Sequence, residues 1–273
     1  TALVLCFVLL ASTTRGGERR GRGEEEAEGG QTKNTTPSPV TLAPTVTFQP
    51  TPVPMWLQLG SDLEVQAIGA SFGDSLAMSS DGRVIVIGAF LGDPNDNNLG
   101  KVHVLEFVSG VWSQRGAPIA GQSPEDKFGV AVDVSSNGSI VAASSHFAYS
   151  SSQVAPDGSN IKTGHVQIYS WDGAAWTALG NTIDGVSVND RFGSSLSLSS
   201  DGMSVAVGAP GYNANGTDVG HAIVFVLQDN PNNNNNKQWI QRGRDLVGKG
   251  SRDNFGYSVS MSGDGSIVAV GAA

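Results

Sequence analysis

Three stretches rich in Asp and Asn place oxygen-bearing side chains at alternate positions, a spacing that suits a hard cation. Ca²⁺ binds about six to eight oxygen ligands, and carboxylate and amide groups supply them. The same residue types also favour turns without binding a metal, because their side chains bond to nearby backbone. One stretch covers residues 157–160. The candidate Ca²⁺ ligands in the other two stretches are Asp93, Asn95, Asn97, Asn213, Asn215 and Asp218.

Side chains suited to acid–base or nucleophilic chemistry do not cluster along the chain. The four histidines lack the spacing of metal ligands, and His165 and His221 are expected at an exposed strand start, the position that Lys101 takes elsewhere. A serine follows a glycine by two residues at three places, but the second glycine of a nucleophile elbow is absent. We therefore predict no catalytic residues. These serines are Ser75, Ser195 and Ser258.

Three Asn-x-Ser/Thr sequons predict N-glycosylation of an extracellular product. They lie at Asn34, Asn137 and Asn215. Because Asn215 is also a candidate Ca²⁺ ligand, a glycan there would argue against metal binding at that residue.

Composition excludes several protein classes. The 273 residues carry a net charge of −9, so a nucleic-acid partner is not expected. Residues 15–55 hold equal numbers of acidic and basic side chains, so the whole charge excess belongs to residues 56–273. The 36 glycines have no three-residue period, which excludes collagen, and the low content of charged residues excludes a coiled coil.

The N-terminal part differs in composition from the rest. Residues 1–14 form an apolar segment that predicts a truncated signal peptide, with a truncated signal anchor as the alternative. The single cysteine, Cys6, lies within it. Residues 15–55, charged and then rich in Thr and Pro, predict a disordered stalk. Membrane contact is expected only through an N-terminal anchor or through sequence beyond this chain.

A repeat organises residues 56–273. Phe-Gly recurs at steps of 56, 64 and 63 residues, and a tryptophan recurs at the same three intervals. An Asp-Gly or Asn-Gly pair follows each Phe by nine residues and predicts a tight hairpin. In three of the four repeats an acid two residues before the Phe is predicted to bond into the Phe-Gly turn, whereas the first repeat has Ala70 there. The phenylalanines are Phe72, Phe128, Phe192 and Phe255, and the acids are Asp126, Asp190 and Asp253.

Each repeat contains four strand-like runs, the second of which is almost continuously apolar, as in Val84 to Ile87. Such a run is typical of a strand covered on both faces. Four antiparallel strands repeating at about 60 residues predict an all-β fold, a β-propeller built of four-stranded blades. The blades are expected at about 72–119, 128–183 and 192–247, with a partial blade at 255–273. We therefore expect the propeller to be incomplete in this chain.

Phe-Gly, an Asp-Gly turn and Gly208-Ala209-Pro210 together resemble the FG-GAP repeat of the integrin α-subunit N-terminal propeller. The second repeat departs from this pattern, since Ser144-Ser145 stands where Gly-Ala is expected. The resemblance implies a seven-bladed fold that holds Ca²⁺ in the loops between the second and third strands. None of the three Asp/Asn-rich loops reproduces the full family pattern of ligands.

These observations favour a secreted or cell-surface, non-catalytic binding or adhesion module for an extracellular protein or glycan. One alternative is a structural glycoprotein of the matrix or cell wall without a specific ligand. The other is a propeller hydrolase or lyase with its site in the central channel. The first strands of the repeats offer mostly Ser and Ala with the single acid Asp133, which disfavours that enzyme. We therefore expect the protein not to be an enzyme.

Overall fold

The computed structural model describes residues 9–11, 56–63, 71–91, 99–122, 126–154, 160–213, 217–231 and 236–273. These residues form antiparallel strands and turns and no helix, which confirms the predicted all-β class. The strands are β1 (Leu9–Ala11), β2 (Trp56–Gln58), β3 (Phe72–Met78), β4 (Val84–Ala89), β5 (Lys101–Val108), β6 (Val111–Gln114), β7 (Ile119–Ala120), β8 (Val132–Val134), β9 (Ile140–Ser145), β10 (Tyr149–Val154), β11 (Asn160–Lys162), β12 (His165–Trp171), β13 (Trp176–Ala178), β14 (Ile183–Asp184), β15 (Ser195–Leu198), β16 (Ser204–Ala209), β17 (His221–Asp229), β18 (Lys237–Gln241), β19 (Leu246–Val247), β20 (Ser258–Met261) and β21 (Val268–Gly271).

Three sheets share one topology. The first runs β3-β4-β5-β6, the second β8-β9-β12-β13 and the third β15-β16-β17-β18, all antiparallel. A short fifth strand, β7, β14 or β19, pairs with the third strand of its sheet. β20 and β21 repeat the first two strands of this order. β1 and β2 form a separate pair within another compact unit of the chain.

The hairpin between the first and second strands is built by one serine and one acidic or amide side chain. In the first sheet, Ser79 Oγ donates to Asp81 Oδ1 at 2.7 Å and accepts from the Val84 N–H at 2.9 Å. Gly82 then adopts a φ of +71°, which a residue with a side chain rarely tolerates. The second and third sheets and the β20–β21 pair repeat these bonds, so each predicted Asp-Gly or Asn-Gly turn is confirmed.

The hydrophobic core lies between successive sheets, because each sheet has apolar side chains on both faces. Phe128 and Phe192, from the Phe-Gly pairs, are fully buried there. The backbone N–H groups of Ser80, Ser136 and Ser200 donate to carbonyls in the next sheet or strand pair at 2.8–3.0 Å. The apolar second strands β4, β9 and β16 are therefore covered on both faces, as their composition predicts.

The repeated tryptophans join the outer strands of neighbouring sheets. Trp239 Nε1 donates to the carbonyl of Leu179 at 2.8 Å, across the gap between the third and second sheets. A Cβ added at Gly180 would lie 2.8 Å from Trp239 Cδ1, and this glycine has a φ of +80°. Gly60 and Gly116 likewise make room for Trp112 and Trp176, whereas a Cβ added at Gly243 would meet nothing within 4 Å.

Several predictions lie outside the described residues. They are the signal or anchor apart from residues 9–11, the stalk to residue 55, and Asn34, Asp93, Asn95, Asn97 and Asn215. Among the residues that are described, no helix is long and apolar enough to cross a membrane.

Candidate functional site

The Ca²⁺ prediction concerns loops of which only part is described. Asn213 Oδ1 accepts the N–H of Asp218 at 2.5 Å, so this amide oxygen closes its own loop. Within the described ranges, no group of three or more His, Cys, Asp or Glu side chains could hold a metal ion. Ca²⁺ binding therefore stays a prediction.

The prediction that His165 and His221 lie at an exposed strand start is wrong. They are 6% and 0% exposed, because the start of the third strand is covered by the neighbouring loop and short fifth strand. His221 stacks on Tyr212 with ring centroids 4.0 Å apart, and its Nδ1 lies 3.4 Å from Asp245 Oδ2. Burial lowers the pKa of both imidazoles, so both are neutral at pH 7.

The three acids that lie two residues before a Phe do bond to backbone, but not within the Phe-Gly turn. Asp126 Oδ2 accepts the N–H of Gln122 at 3.1 Å, and Asp190 Oδ2 accepts the N–H of Ser187 at 3.1 Å. Asp253 accepts similar bonds from residues 249 and 250. These carboxylates hold the loop that precedes the turn. Burial raises the pKa of Asp190 to about 6, and its Oδ1 has no hydrogen-bond partner.

Two of the three serines after Phe-Gly have structural partners. Ser75 Oγ donates to the carbonyl of Gly129 at 2.8 Å, and Ser195 Oγ donates to that of Gly256 at 2.9 Å. Both bonds reach the next Phe-Gly pair along the chain. The hydroxyl groups therefore join successive repeats.

Asn137, the predicted glycosylation site within the described residues, lies exposed in the hairpin of the second sheet. Its Oδ1 accepts from Ser135 Oγ at 2.9 Å and from the N–H of Ser139 at 3.0 Å. It thus takes the role that an aspartate has in the other hairpins. Glycosylation of Asn137 is not tested by these bonds and stays a prediction.

A cleft of about 550 Å³ separates the outer strands of the second and third sheets. Its walls are rich in amide side chains, including Asn181, Asn236 and Gln238. Asn181 Oδ1 accepts the N–H of Trp239 at 2.8 Å, so one wall is tied to the other. The described residues that line the cleft offer hydrogen-bonding groups but no pair of ionisable groups suited to acid–base catalysis.

A second candidate site lies where the second sheet turns towards the third. We name it the basic–aromatic patch and define it as Lys127, Phe147, Tyr149, Lys162 and Arg191. Lys127 Nζ lies 4.8 Å from the Phe147 ring centroid, and Lys162 Nζ lies 5.0 Å from that of Tyr149. The two rings are 41% and 39% exposed. Cations held over exposed aromatic rings form a surface that can contact both charge and apolar area.

His146 lies beside Phe147 and close enough to Lys127 and Arg191 to feel their charges. Its ring lies 4.1 Å from that of Phe147, and its Nδ1 is buried without a hydrogen-bond partner. Burial, together with the positive charges of Arg191 and Lys127, lowers the pKa of His146 to about 4. The imidazole is therefore neutral at pH 7, and the nearby cations carry the local charge.

The sequence reasoning missed this patch, although one signal was available. Lys127 and Arg191 immediately precede Phe128 and Phe192, at equivalent positions of two repeats, and both adopt a φ of +55°. The aromatic part comes from the β10–β11 hairpin and the turn before it, which lie within a segment that the sequence marks only as a variable loop. No repeat landmark points to that hairpin.

Comparison with known proteins finds no matching protein-family model and no matching curated protein. Among solved structures, a 6-phosphogluconolactonase-like protein from Bacteroides uniformis matches with 15% identity and a TM-score of 0.45. The match covers 79% of this chain and 52% of that protein, so this chain spans about half the length of the structure it matches.

This comparison contradicts the prediction that the protein is not an enzyme, because the matched structure is named for an enzymatic activity. We withdraw that prediction. At this identity and TM-score, the likeness transfers no lactonase activity, substrate or catalytic residue to this chain.

Proposed function

We propose that the repeated sheets are blades of a β-propeller of the FG-GAP kind. We further propose that the protein is a secreted or cell-surface binding module whose loops contact an extracellular ligand. Three sheets with one strand order, each packed against the next through a shared core, support the propeller. The predicted signal segment, stalk and sequons support an extracellular location.

One observation carries the binding function. The side chains at the repeated landmark positions are used for structure, as in the Ser-Asp-Gly hairpins and the Trp-Gly contacts between sheets. The exposed aromatic rings of Phe147 and Tyr149 instead lie on the connection between the second and third strands, and that of Tyr257 directly follows a Phe-Gly pair. Exposed cations are found in many places, but Lys127 and Lys162 lie over two of these rings. A rigid repeated framework that presents variable loops is a common arrangement for recognition.

The test is a direct binding measurement with the full 273-residue chain. The immobilised protein is exposed to separate panels of purified extracellular polysaccharides and matrix proteins, and binding is followed by biolayer interferometry. Saturable binding to at least one panel member supports the proposal. If no member binds, either with or without Ca²⁺, the proposal fails and a structural role without a specific ligand is favoured.

A matched pair of variants locates the binding surface. In the first variant, a short Gly-Ser linker replaces the β10–β11 hairpin, and we expect binding to fall. In the control, Arg83→Gln changes an exposed cation in the hairpin at the opposite end of the first sheet, and we expect binding to persist. Equal losses in both variants would contradict recognition by the loops.

A further inference from the structure

The basic–aromatic patch carries positive charge on a protein whose net charge is −9. Ion pairs between described residues include those of Arg115, His221 and Lys237, and no ion pair of this kind involves Lys127, Lys162 or Arg191. Arg191 is exposed, and the two lysines are half-buried. Among the described residues, the three charges therefore have no ion-pair partner and can contact an external anion.

The aromatic rings hold two of these charges in place. The ammonium groups of Lys127 and Lys162 lie over the rings of Phe147 and Tyr149, at the centroid distances of 4.8 and 5.0 Å. A lysine that is already positioned loses less side-chain freedom when it binds an anion. The patch is therefore partly organised before any ligand arrives.

The two described carboxylates that directly precede cations of the patch in the chain are buried below its surface. Asp126 and Asp190 precede Lys127 and Arg191 directly in the chain, but they are 2% and 1% exposed. Each accepts a backbone N–H from its own loop, as described above. In both repeats the acid is buried and the basic residue that follows it reaches the surface.

Building on the proposed binding function, we propose that the basic–aromatic patch binds an acidic polysaccharide. Its carboxylate or sulfate groups would contact Lys127, Lys162 and Arg191, and its sugar faces would contact Phe147 and Tyr149. A sugar ring presents a flat face of C–H groups that packs against an aromatic ring, which an extended acidic peptide does not offer. The two exposed rings beside the three cations therefore favour a glycan over a peptide.

The test measures the affinity of the full chain for four polymers of similar size in 0.15 M salt. Polygalacturonate carries carboxylates and heparin carries sulfates, dextran is neutral, and polyglutamate is an acidic peptide. We expect saturable binding to polygalacturonate or heparin, which distinguishes the two anion types, and weaker binding to dextran and polyglutamate. If polyglutamate binds as tightly as both glycans, the glycan proposal is overturned.

A matched triple variant separates the patch from overall charge. Lys127→Gln, Lys162→Gln and Arg191→Gln together should weaken glycan binding about tenfold, as expected for the loss of three exposed ion pairs. The control triple variant, Arg242→Gln, Arg244→Gln and Lys249→Gln, removes the same charge from other exposed positions and should change affinity less than about twofold. Equal effects of the two variants would overturn the assignment to the patch.

Further measurements separate a loss of binding at the patch from misfolding and from binding elsewhere on the protein. Circular dichroism and thermal unfolding verify that both triple variants are folded. The Phe147→Ala and Tyr149→Ala double variant should lower affinity for the glycan while keeping the salt dependence of binding, because the charges remain. If the protein binds a neutral glycan or a matrix protein and the patch variant does not weaken that binding, this inference fails while the proposed binding function stands.

Discussion

The second sheet differs from the first and third at one pair of opposed residues, yet all three place a hydroxyl group at the same point. In the first and third sheets, a serine on the first strand faces a glycine on the second strand. In the second sheet, the serine stands on the second strand and faces an alanine. The pairs are Ser75 with Gly88, Ser195 with Gly208, and Ala131 with Ser144.

The bond made by the hydroxyl is the same in each case. Ser144 Oγ donates to the carbonyl of Gly193 at 2.6 Å, which matches the bonds of Ser75 and Ser195 to the next Phe-Gly carbonyl. The second repeat has Ser144-Ser145 in place of the Gly-Ala pair. It nevertheless makes the same hydrogen bond to the next Phe-Gly carbonyl. The framework requires a donor at this point, and either strand can supply it.

The comparison also explains why a glycine faces the serine in the first and third sheets. A Cβ added at Gly88 would lie 2.1 Å from the carbonyl oxygen of Gly129 and 2.2 Å from Ser75 Oγ. Two side chains cannot share this space beside a backbone carbonyl. The serine therefore excludes any side chain on the facing strand, unless the facing pair exchanges roles as in the second sheet.

The largest loss of stability is expected when a side chain is added at the glycine that faces the serine. Gly88→Ala should lower the free energy of unfolding by about 3 kcal/mol, because the backbone of Gly129 cannot move away without disturbing the next repeat. Urea denaturation followed by circular dichroism measures it. Gly271→Ala is the matched control, since its added Cβ would meet the mobile hydroxyl of Ser258 at 2.3 Å and no close carbonyl. An equal loss in both variants would contradict the explanation.

A smaller loss is expected for Ser144→Ala. The hydroxyl is buried, donates to the Gly193 carbonyl and accepts the N–H of Ala131 at 3.1 Å, so its removal leaves two backbone groups without this partner. We expect stability to fall by about 2 kcal/mol. Ser113→Ala, at an exposed strand position, should change stability by less than about 0.5 kcal/mol. A neutral result for Ser144→Ala would show that the hydroxyl is dispensable.

The exchange itself can be tested with a double variant. Ser144→Gly alone should be destabilising, whereas Ala131→Ser with Ser144→Gly rebuilds the arrangement of the first sheet. We expect the double variant to unfold within about 1 kcal/mol of the original protein, with a favourable coupling between the two changes. A double-mutant cycle from urea titrations measures the coupling. Simple additivity would mean that the two positions do not exchange roles.

The smallest effect is on the pH dependence of folding stability. It concerns a histidine of the second repeat where the first repeat has a phenylalanine. His146 stands at the position of Phe90 in the first repeat, and burial lowers its pKa to about 4 from the ordinary 6.5. The neutral form thus stabilises the fold above pH 6.5, and this contribution is lost as pH falls from 6.5 towards 4. His146→Phe should reduce the loss of stability between pH 7 and 5 by about 1 kcal/mol.

Asp190 changes the pH dependence of folding stability in the opposite direction to His146. Its pKa is raised to about 6, so protonation stabilises the fold as pH falls below 6. Asp190→Asn should therefore make the loss of stability on acidification larger, whereas His146→Phe makes it smaller. The two variants are compared by urea titration at pH 7 and pH 5. A shift in the same direction for both would contradict the assigned signs.

Much of the framework follows from local patterns. The apolar runs predict the second strands, and the run at Val84 to Ile87 lies within β4. The Asp-Gly and Asn-Gly pairs predict the hairpins, because glycine readily takes the positive φ that these turns need. Trp56 is different: its strand, β2, pairs with β1 and not with a repeat sheet. A single tryptophan landmark without the neighbouring strands does not specify its partner.

The candidate sites depend much less on local pattern. The sequence placed His165 at an exposed strand start, but a strand end is covered or open according to the loops that pack on it. The basic–aromatic patch joins residues from 127 to 191, and no spacing rule relates a hairpin insertion to the turns beside it. Burial of the acids next to Lys127 and Arg191 is likewise visible only in three dimensions.

The sequence by itself determined the repeat, its strands and its turns, because alternating apolar residues and turn-forming glycines act within a few residues. Tertiary structure decided which hydroxyl reaches the next Phe-Gly carbonyl, which histidines lose contact with water, and which cations gather beside Phe147 and Tyr149. Those properties arise from packing between sheets and loops that lie tens of residues apart. Such packing fixes burial and distance, and these control hydrogen bonding and charge.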